Sequence, residues 1–240
     1  MQQGTSILEV EGLNAAYGRA QILFGVSLRL ARGEILALMG RNGAGKSTTL
    51  KAIMGLVPAT GGSLRFAGHD IRHLPTYRIA RLGLGYVPED RRIFTELTVF
   101  ENLEVGRKAE RPAGPAGWTP ERLFSIFPNL ADMRGRQASQ MSGGEQQMLS
   151  IARTLMGNPQ AILLDEPTEG LAPVIVEEMV AAVARMKREG LAVLLSEQNA
   201  AFAAAVADRV AIIAKGVVRH EGPMADLSRD AALREAYLGL

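Results

Sequence analysis

The segment Gly40-Arg41-Asn42-Gly43-Ala44-Gly45-Lys46-Ser47 fits G-x-x-x-x-G-K-[ST], the pattern of a phosphate-binding loop. Its flanks narrow the fold. Ile35–Met39 is a short unbroken apolar run, as expected of a buried strand, and a helix is predicted from about Lys46 to Met54, stopped by Gly55. The glycines let the backbone turn tightly, so that its N–H groups point at the β-phosphate. The following helix turns its positive N-terminus towards the same anion. Lys46 is expected to reach the β- and γ-phosphates, and the Ser47 hydroxyl to ligate Mg²⁺.

The remaining chain alternates strands and helices, which predicts an α/β fold with a largely parallel central sheet. Ile7–Leu13 and Val26–Leu30 read as antiparallel strands, Leu84–Val87 as a short strand, and Ala161–Leu164 and Leu191–Leu195 as buried ones. Arg209–Ala214 and Val217–Gly222 read as a closing hairpin followed by a polar helix. Thr98-Val99-Phe100-Glu101 and Ser142-Gly143-Gly144-Glu145 are capping boxes that should open helices, the second ending near Gly157. Thr119-Pro120-Glu121 is a further helix start. Val176, Met179, Val180, Val183 and Met186 share one face of a helix closed by Gly190. Arg107–Gly117, rich in proline and glycine among charges, reads as a mobile loop.

Two further motifs carry chemistry. Asp165-Glu166 ends an apolar strand, where a carboxylate beside a phosphate loop would supply oxygen to Mg²⁺. Asp165 is the candidate, through water, and Glu166 is placed to polarise an attacking water. A cap alone does not account for the two glycines at Ser142-Gly143-Gly144-Glu145-Gln146. A helix N-terminus stripped of side chains offers a second anion site.

Composition sets limits. The chain has 240 residues, 47% hydrophobic and 22% charged, enough for one large domain or two small ones. No apolar run approaches the roughly 18 residues that cross a bilayer, and Met1-Gln2-Gln3-Gly4-Thr5 lacks a signal-peptide pattern, so a cytoplasmic location is expected and the chain cannot form a pore alone. With no cysteine, thiolate metal sites and Cys nucleophiles are excluded. A formal charge of +2 without a clustered basic face argues against nucleic acid as a partner. Arg78/Arg81 and Arg91-Arg92 read as solvated surface or a protein-contact patch.

The phosphate loop, then Met141-Ser142-Gly143-Gly144-Glu145-Gln146-Gln147, then Ile162-Leu163-Leu164-Asp165-Glu166-Pro167-Thr168 resemble, in order and over essentially the whole chain, the nucleotide-binding subunit of an ABC transporter. The resemblance implies an α/β fold of P-loop NTPase, ABC type: one domain over 1–240, with a mainly parallel core sheet, an antiparallel β subdomain and a helical subdomain at about 88–158. It implies an ATPase with ATP and Mg²⁺ as cofactors. Gly40, Arg41, Asn42, Gly43, Ala44, Gly45, Lys46, Ser47 and Thr48 would bind nucleotide, and Tyr17 would stack on adenine. Ser142, Gly143, Gly144 and Glu145 would serve the ATP of a second ABC ATPase subunit facing head to tail. The implied partners are transmembrane permease subunits, docked near Glu89–Phe94 and Leu97–Leu123 on the inner face of the cell membrane, and indirectly a substrate-binding protein.

Three positions depart from the common family pattern. Glu89 stands where Gln is usual beside the metal, Gln198 where His usually meets the γ-phosphate, and Ala172 where an Asp is usual. The Gln198 amide still donates a hydrogen bond, so Lys46, Glu166 and Gln198 are the catalytic candidates and Ser47, Glu89 and Asp165 the metal candidates. Pro88-Glu89-Asp90-Arg91-Arg92, Gly170-Leu171-Ala172-Pro173, Glu197-Gln198-Asn199-Ala200 and Ala236-Tyr237-Leu238-Gly239 resemble one branch: the second ATPase of branched-chain (hydrophobic) amino-acid importers, with their urea and amide relatives. Two different ATPases usually pair there, and the partner would supply the missing His and Asp. Two other readings stay open: a non-transport ABC-type ATPase of translation or DNA repair, and a weakly hydrolysing nucleotide-binding regulator. A single phosphate loop and the absence of sustained heptads between Lys46 and Ser142 count against the first.

Overall fold

Alternation of apolar and polar residues makes the first two strands one-sided. In the computed structural model, which describes residues 6–108, 117–229 and 235, β1 (Ser6–Tyr17) and β2 (Ala20–Ala31) pair antiparallel and bury Leu8, Val10, Leu13, Val26, Leu28 and Leu30. Both run longer than the apolar alternation alone indicates. β3 (Ile35–Met39) is buried throughout and feeds α1 (Lys46–Ile53). β4 (Ala59–Phe66) and β5 (His69–Asp70) follow, then α2 (Thr76–Leu82) and β6 (Leu84–Val87).

A run of helices comes next: α3 (Val99–Gly106), α4 (Pro120–Ile126), α5 (Pro128–Asp132) and α6 (Gly143–Leu155). Both predicted capping boxes are formed, at Thr98/Glu101 and Ser142/Glu145, and Thr119 caps α4 with Pro120 at its first position. β7 (Ala161–Asp165), α7 (Pro173–Arg188), β8 (Ala192–Glu197), α8 (Ala200–Val206), β9 (Arg209–Ala214), β10 (Val217–Pro223) and α9 (Met224–Arg229) complete the described chain. Most of the loop read at Arg107–Gly117 and the motif at Ala236–Gly239 lie outside the described residues.

The strands form two sheets. One is antiparallel, in the order β2-β1-β4-β5. The other runs β10-β9-β3-β8-β7-β6 and is parallel apart from the β9–β10 hairpin. β3 is gripped on both faces. Ile35, Ala37 and Met39 join a core with α6 and α7, while Leu36 and Leu38 join one with the antiparallel sheet and α1. Burial on both faces is why this strand shows an unbroken apolar run rather than alternation. Parallel pairing in register sets Met39 beside Glu197 and Asp165 beside Ser196. Three strand ends thus deliver the phosphate loop, Asp165-Glu166 and Glu197-Gln198 to one edge of the sheet, where open α/β sheets bind ligands.

The segment between β6 and α3 is held from within. Asn102, fully buried on α3, accepts from the Phe94 N–H at 3.0 Å and donates to the carbonyls of Phe94 (2.9 Å), Thr98 (3.0 Å) and Leu97 (3.3 Å). The three carbonyls also accept from the backbone N–H groups of Leu97, Asn102 and Ala138, so Asn102→Ala strands the Phe94 N–H, at about 1–3 kcal/mol for that unsatisfied donor. The expected result is a loss of about 1–3 kcal/mol, measured by urea denaturation. A loss below about 1 kcal/mol would show that the loop keeps its shape without the side chain.

Candidate functional site

The phosphate loop takes its shape from glycines that nothing else could replace. A Cβ on Gly40 would lie 2.3 Å from the Ile213 carbonyl oxygen, and Gly45 adopts φ 112° with Leu23 of β2 pressed against it. Gly45 is also the N-cap of α1 and has no side chain to satisfy the first N–H groups. No acidic residue sits in the first turn. This end of α1 is therefore an open anion cradle. Ser47 and Thr48 are half-buried in that turn, while Arg41, Asn42 and Gly43 are exposed at the loop tip.

Lys46 is only 3% exposed and turns back on its own loop. Its Nζ donates to the carbonyls of Gly40 (2.7 Å) and Arg41 (3.3 Å) and pairs with Glu166 Oε1 at 3.1 Å. Glu166 Oε2 accepts from Gln198 Nε2 at 2.7 Å, and the same amide donates to Asn42 Oδ1 at 2.6 Å. The three catalytic candidates therefore meet: Glu166 is clasped between the Lys46 ammonium and the Gln198 amide. Glu166 also holds φ at 46°, a left-handed conformation that a side chain adopts only under constraint.

Asp165 is fully buried behind Glu166. Its Oδ2 accepts from Tyr86 at 3.0 Å and its Oδ1 from Ser196 at 2.7 Å. Burial first, and then the Asp165 charge, push the Tyr86 phenol well above its ordinary range, which keeps it a donor. The loop that carries Glu89 lies at the same edge. Glu89 is exposed, and with Glu166 and partial desolvation it holds the Glu169 carboxyl above the usual range, desolvation acting most strongly. Among the described residues no group of three or more His, Cys, Asp or Glu is arranged to hold a metal ion.

Sequence reasoning missed Glu197. It is 2% exposed, with Oε1 accepting from the Thr168 hydroxyl (2.6 Å) and N–H (3.2 Å), and Oε2 from the N–H groups of Gln198 (2.9 Å) and Asn199 (3.0 Å). It aims the turn that carries Gln198. The signal was there: two polar residues, Ser196-Glu197, closing an otherwise apolar strand.

The predicted second anion-binding segment stands apart. Ser142 forms no hydrogen bond with the phosphate loop among the described residues; its Oγ accepts from Glu145 N at 3.4 Å and its N–H donates to Glu145 Oε2 at 2.7 Å. The two glycines that follow also have causes within this chain. A Cβ on Gly143 would come 2.7 Å from the Arg91 guanidinium, and one on Gly144 would come 2.7 Å from Ile175 of α7. Arg91 and Ile175 thus supply the close approach that a cap alone does not explain. Tyr17, 50% exposed, closes β1 at the hairpin whose second strand packs on Gly45. Ala172 is the N-cap of α7, with no side-chain bond to the cap.

Residues 23–169 match the family model described as ABC transporter. The chain belongs to the ABC transporter ATP-binding family. It is an ABC-type ATPase subunit, and such subunits dimerise and work with transmembrane permease components. The cassette is 39% identical over 237 residues to the high-affinity branched-chain amino acid transport ATP-binding protein BraG of Pseudomonas aeruginosa, covering 97% of this chain and all of that one. It is 34% identical over 236 residues to the lipopolysaccharide export system ATP-binding protein LptB of Haemophilus influenzae, covering 98% of each. Among solved structures, an ATP-binding cassette of an ABC transporter in its ADP conformation superposes with a TM-score of 0.81 at 27% identity, over 98% of this chain and all of that one. A nucleotide-free cassette gives 0.81 at 26% identity, over 96% of this chain and 98% of that one. No helix among the described residues is long and apolar enough to cross a membrane.

Proposed function

We propose that this cassette hydrolyses ATP to drive an importer of branched-chain or other hydrophobic amino acids, or of the related amides and urea. The observation that carries the chemistry is the clasp on Glu166, whose two carboxylate oxygens face Lys46 at 3.1 Å and Gln198 at 2.7 Å at the mouth of an uncapped helix. End-to-end likeness to a branched-chain amino acid transport ATP-binding protein, at 39% identity, supports the substrate class.

On this reading the amides of Gly43–Ser47 and the N-terminus of α1 receive the phosphates of ATP. Lys46 leaves the Gly40 and Arg41 carbonyls for the β- and γ-phosphates. Glu166, released from Lys46, accepts a proton from the attacking water, help worth about 10²–10⁴ in rate. The Gln198 amide, still anchored through Glu197, donates to the γ-phosphate. Tyr17 offers its exposed ring to adenine.

The oxygen donors fit Mg²⁺. The Ser47 hydroxyl lies in the first turn of α1, and Asp165 keeps lone pairs beyond those used by Tyr86 and Ser196, which suits a contact through water; Glu89 is the third candidate. When bound, the ion neutralises charge on the β- and γ-phosphate oxygens.

The partners are permease subunits and a second ABC ATPase facing head to tail, so that Ser142 and the α6 N-terminus close the partner's ATP site. A substrate-binding protein acts through the permease, and the cassette lies on the inner face of the membrane. The permease groove is proposed at Glu89–Phe94 and 97–123, within a helical subdomain of about 88–158; Phe94 is 48% exposed. Co-purification from membranes tests this. The expected result is a permease and a second ATPase, with labelled leucine or urea uptake lost in Glu166→Gln. Likeness to the lipopolysaccharide export cassette at 34% identity favours an exporter as the second reading. Recovery of export components without amino-acid or urea uptake would establish it. Full transporter-rate, cooperative hydrolysis by this chain alone would instead overturn the two-ATPase arrangement.

A further inference from the structure

Ser196 occupies a position that no phosphate-loop chemistry requires, yet it touches both acidic residues of the site. It is fully buried at the end of β8, directly opposite Asp165 in the parallel register. Its hydroxyl donates to Asp165 Oδ1 at 2.7 Å and accepts from the Glu166 N–H at 3.1 Å. Its carbonyl accepts from the same N–H at 3.1 Å. A serine hydroxyl has one hydrogen and two lone pairs, so these bonds use its single donor and one acceptor site.

The hydroxyl therefore links two neighbouring groups that need different orientations. Asp165 points into the fold, held between Ser196 and Tyr86, while Glu166 swings out to Lys46 and Gln198. That divergence passes through one peptide, the Asp165–Glu166 bond, and leaves Glu166 at φ 46°. Strain of this kind persists only where surrounding contacts over-determine it. Among those contacts, the Ser196 hydroxyl is the one side chain that meets the peptide N–H and the Asp165 carboxylate together.

We infer that Ser196 is a positioning residue for hydrolysis: it fixes the Asp165–Glu166 peptide so that the Glu166 carboxylate lies on the line of the attacking water. It makes no contact with nucleotide. The inference rests on the reading of Glu166 as the carboxylate that takes the water's proton. Ser196 sets where that carboxylate sits, and Lys46 and Gln198 set what it touches.

The test uses the cassette in its purified membrane complex. Ser196→Ala is expected to lower kcat about 10- to 100-fold, the scale of a misplacement near 1 Å, with ATP affinity and KM retained. Ser196→Cys keeps the side-chain size with a weaker donor and should give an intermediate kcat at an unchanged melting temperature. In the Glu166→Gln background, Ser196→Ala should lower single-turnover hydrolysis no further, because the group it positions is gone. Fluorescent-nucleotide binding in EDTA should match the wild type in both Ser196 variants. Wild-type kcat in Ser196→Ala or Ser196→Cys overturns the inference, as does an additive loss in the Glu166→Gln background. So does a parallel fall in nucleotide affinity and melting temperature, which marks a purely structural hydroxyl. If Glu166→Gln itself turns over normally, the reading of Glu166 fails first; if it is inactive while Ser196→Ala is not, the role of Ser196 alone fails.

Discussion

Glu166→Gln lowers the ATPase kcat by about 10²- to 10⁴-fold and leaves nucleotide binding intact. The substitution keeps shape and removes charge. In the resting site Glu166 satisfies two donors, Lys46 Nζ at 3.1 Å and Gln198 Nε2 at 2.7 Å. A glutamine amide has one acceptor and one donor end, so it can meet only one of them and turns an N–H towards the other. The clasp therefore loosens as the general base is lost, and Lys46 is freer to meet phosphate. Nucleotide affinity should hold or rise. Phosphate release under saturating ATP, beside equilibrium binding of a fluorescent nucleotide, separates the two quantities. Retention of more than about a tenth of the wild-type kcat would be too small a loss for a general base and would move the proton acceptor elsewhere.

The second large effect belongs to Lys46. Lys46→Ala is expected to weaken ATP binding about 100-fold or more, since a charge-assisted contact to two phosphates is lost. It should also lower the melting temperature. Glu166 is 8% exposed, and without Lys46 it is a buried carboxylate that has lost its cationic partner and keeps the Gln198 amide as donor. Removing one partner of such a pair costs about 3–5 kcal/mol at full burial. Adding Glu166→Gln to Lys46→Ala removes the orphaned charge, so melting temperature should recover while nucleotide binding does not. Differential scanning fluorimetry on the two single variants and the double reads this directly. If Lys46→Ala melts like the wild type, the Lys46–Glu166 ion pair contributes nothing to stability.

The legible parts of the fold were those where local pattern and tertiary role agree. β3 has the predicted bounds because a five-residue strand buried on both faces is written as a bare apolar run, and β6, an edge strand with only its end residues fully buried, also has them. β4 escaped because it opens Ala59-Thr60-Gly61-Gly62, which reads as a turn. The structure gives the reason for a glycine there: a Cβ on Gly62 would fall 2.4 Å from the Gly12 carbonyl oxygen of the neighbouring strand. α8, an alanine-rich run after Asn199, lacks the apolar periodicity that reveals a helix.

In the site, the residue types were legible and their partners were not. That Lys46 closes on Glu166, or that Glu197 aims Gln198, depends on which strands lie side by side, and that is decided by sheet order rather than by spacing. The pair Gly143-Gly144 shows the opposite hazard. A motif suggestive of ligand approach also answers to Arg91 and Ile175 of the same chain.

The segment between β6 and α3 has a mechanical consequence. Asn102 fastens Phe94, Leu97 and Thr98 to α3. Ser150 and Arg153 of α6 donate to the carbonyls of Arg91 and Arg92, at 2.5 and 2.6 Å. Arg153 also lies 5.0 Å over the Phe94 ring. A stretch with no regular secondary structure is thus cross-braced to two helices and behaves as a rigid lever. A push at the exposed face of Phe94 would be passed through Ser150 and Arg153 to α6, whose N-cap is Ser142. In hydrogen exchange, the Phe94 amide should therefore persist as long as amides inside α3, far longer than its loop location implies.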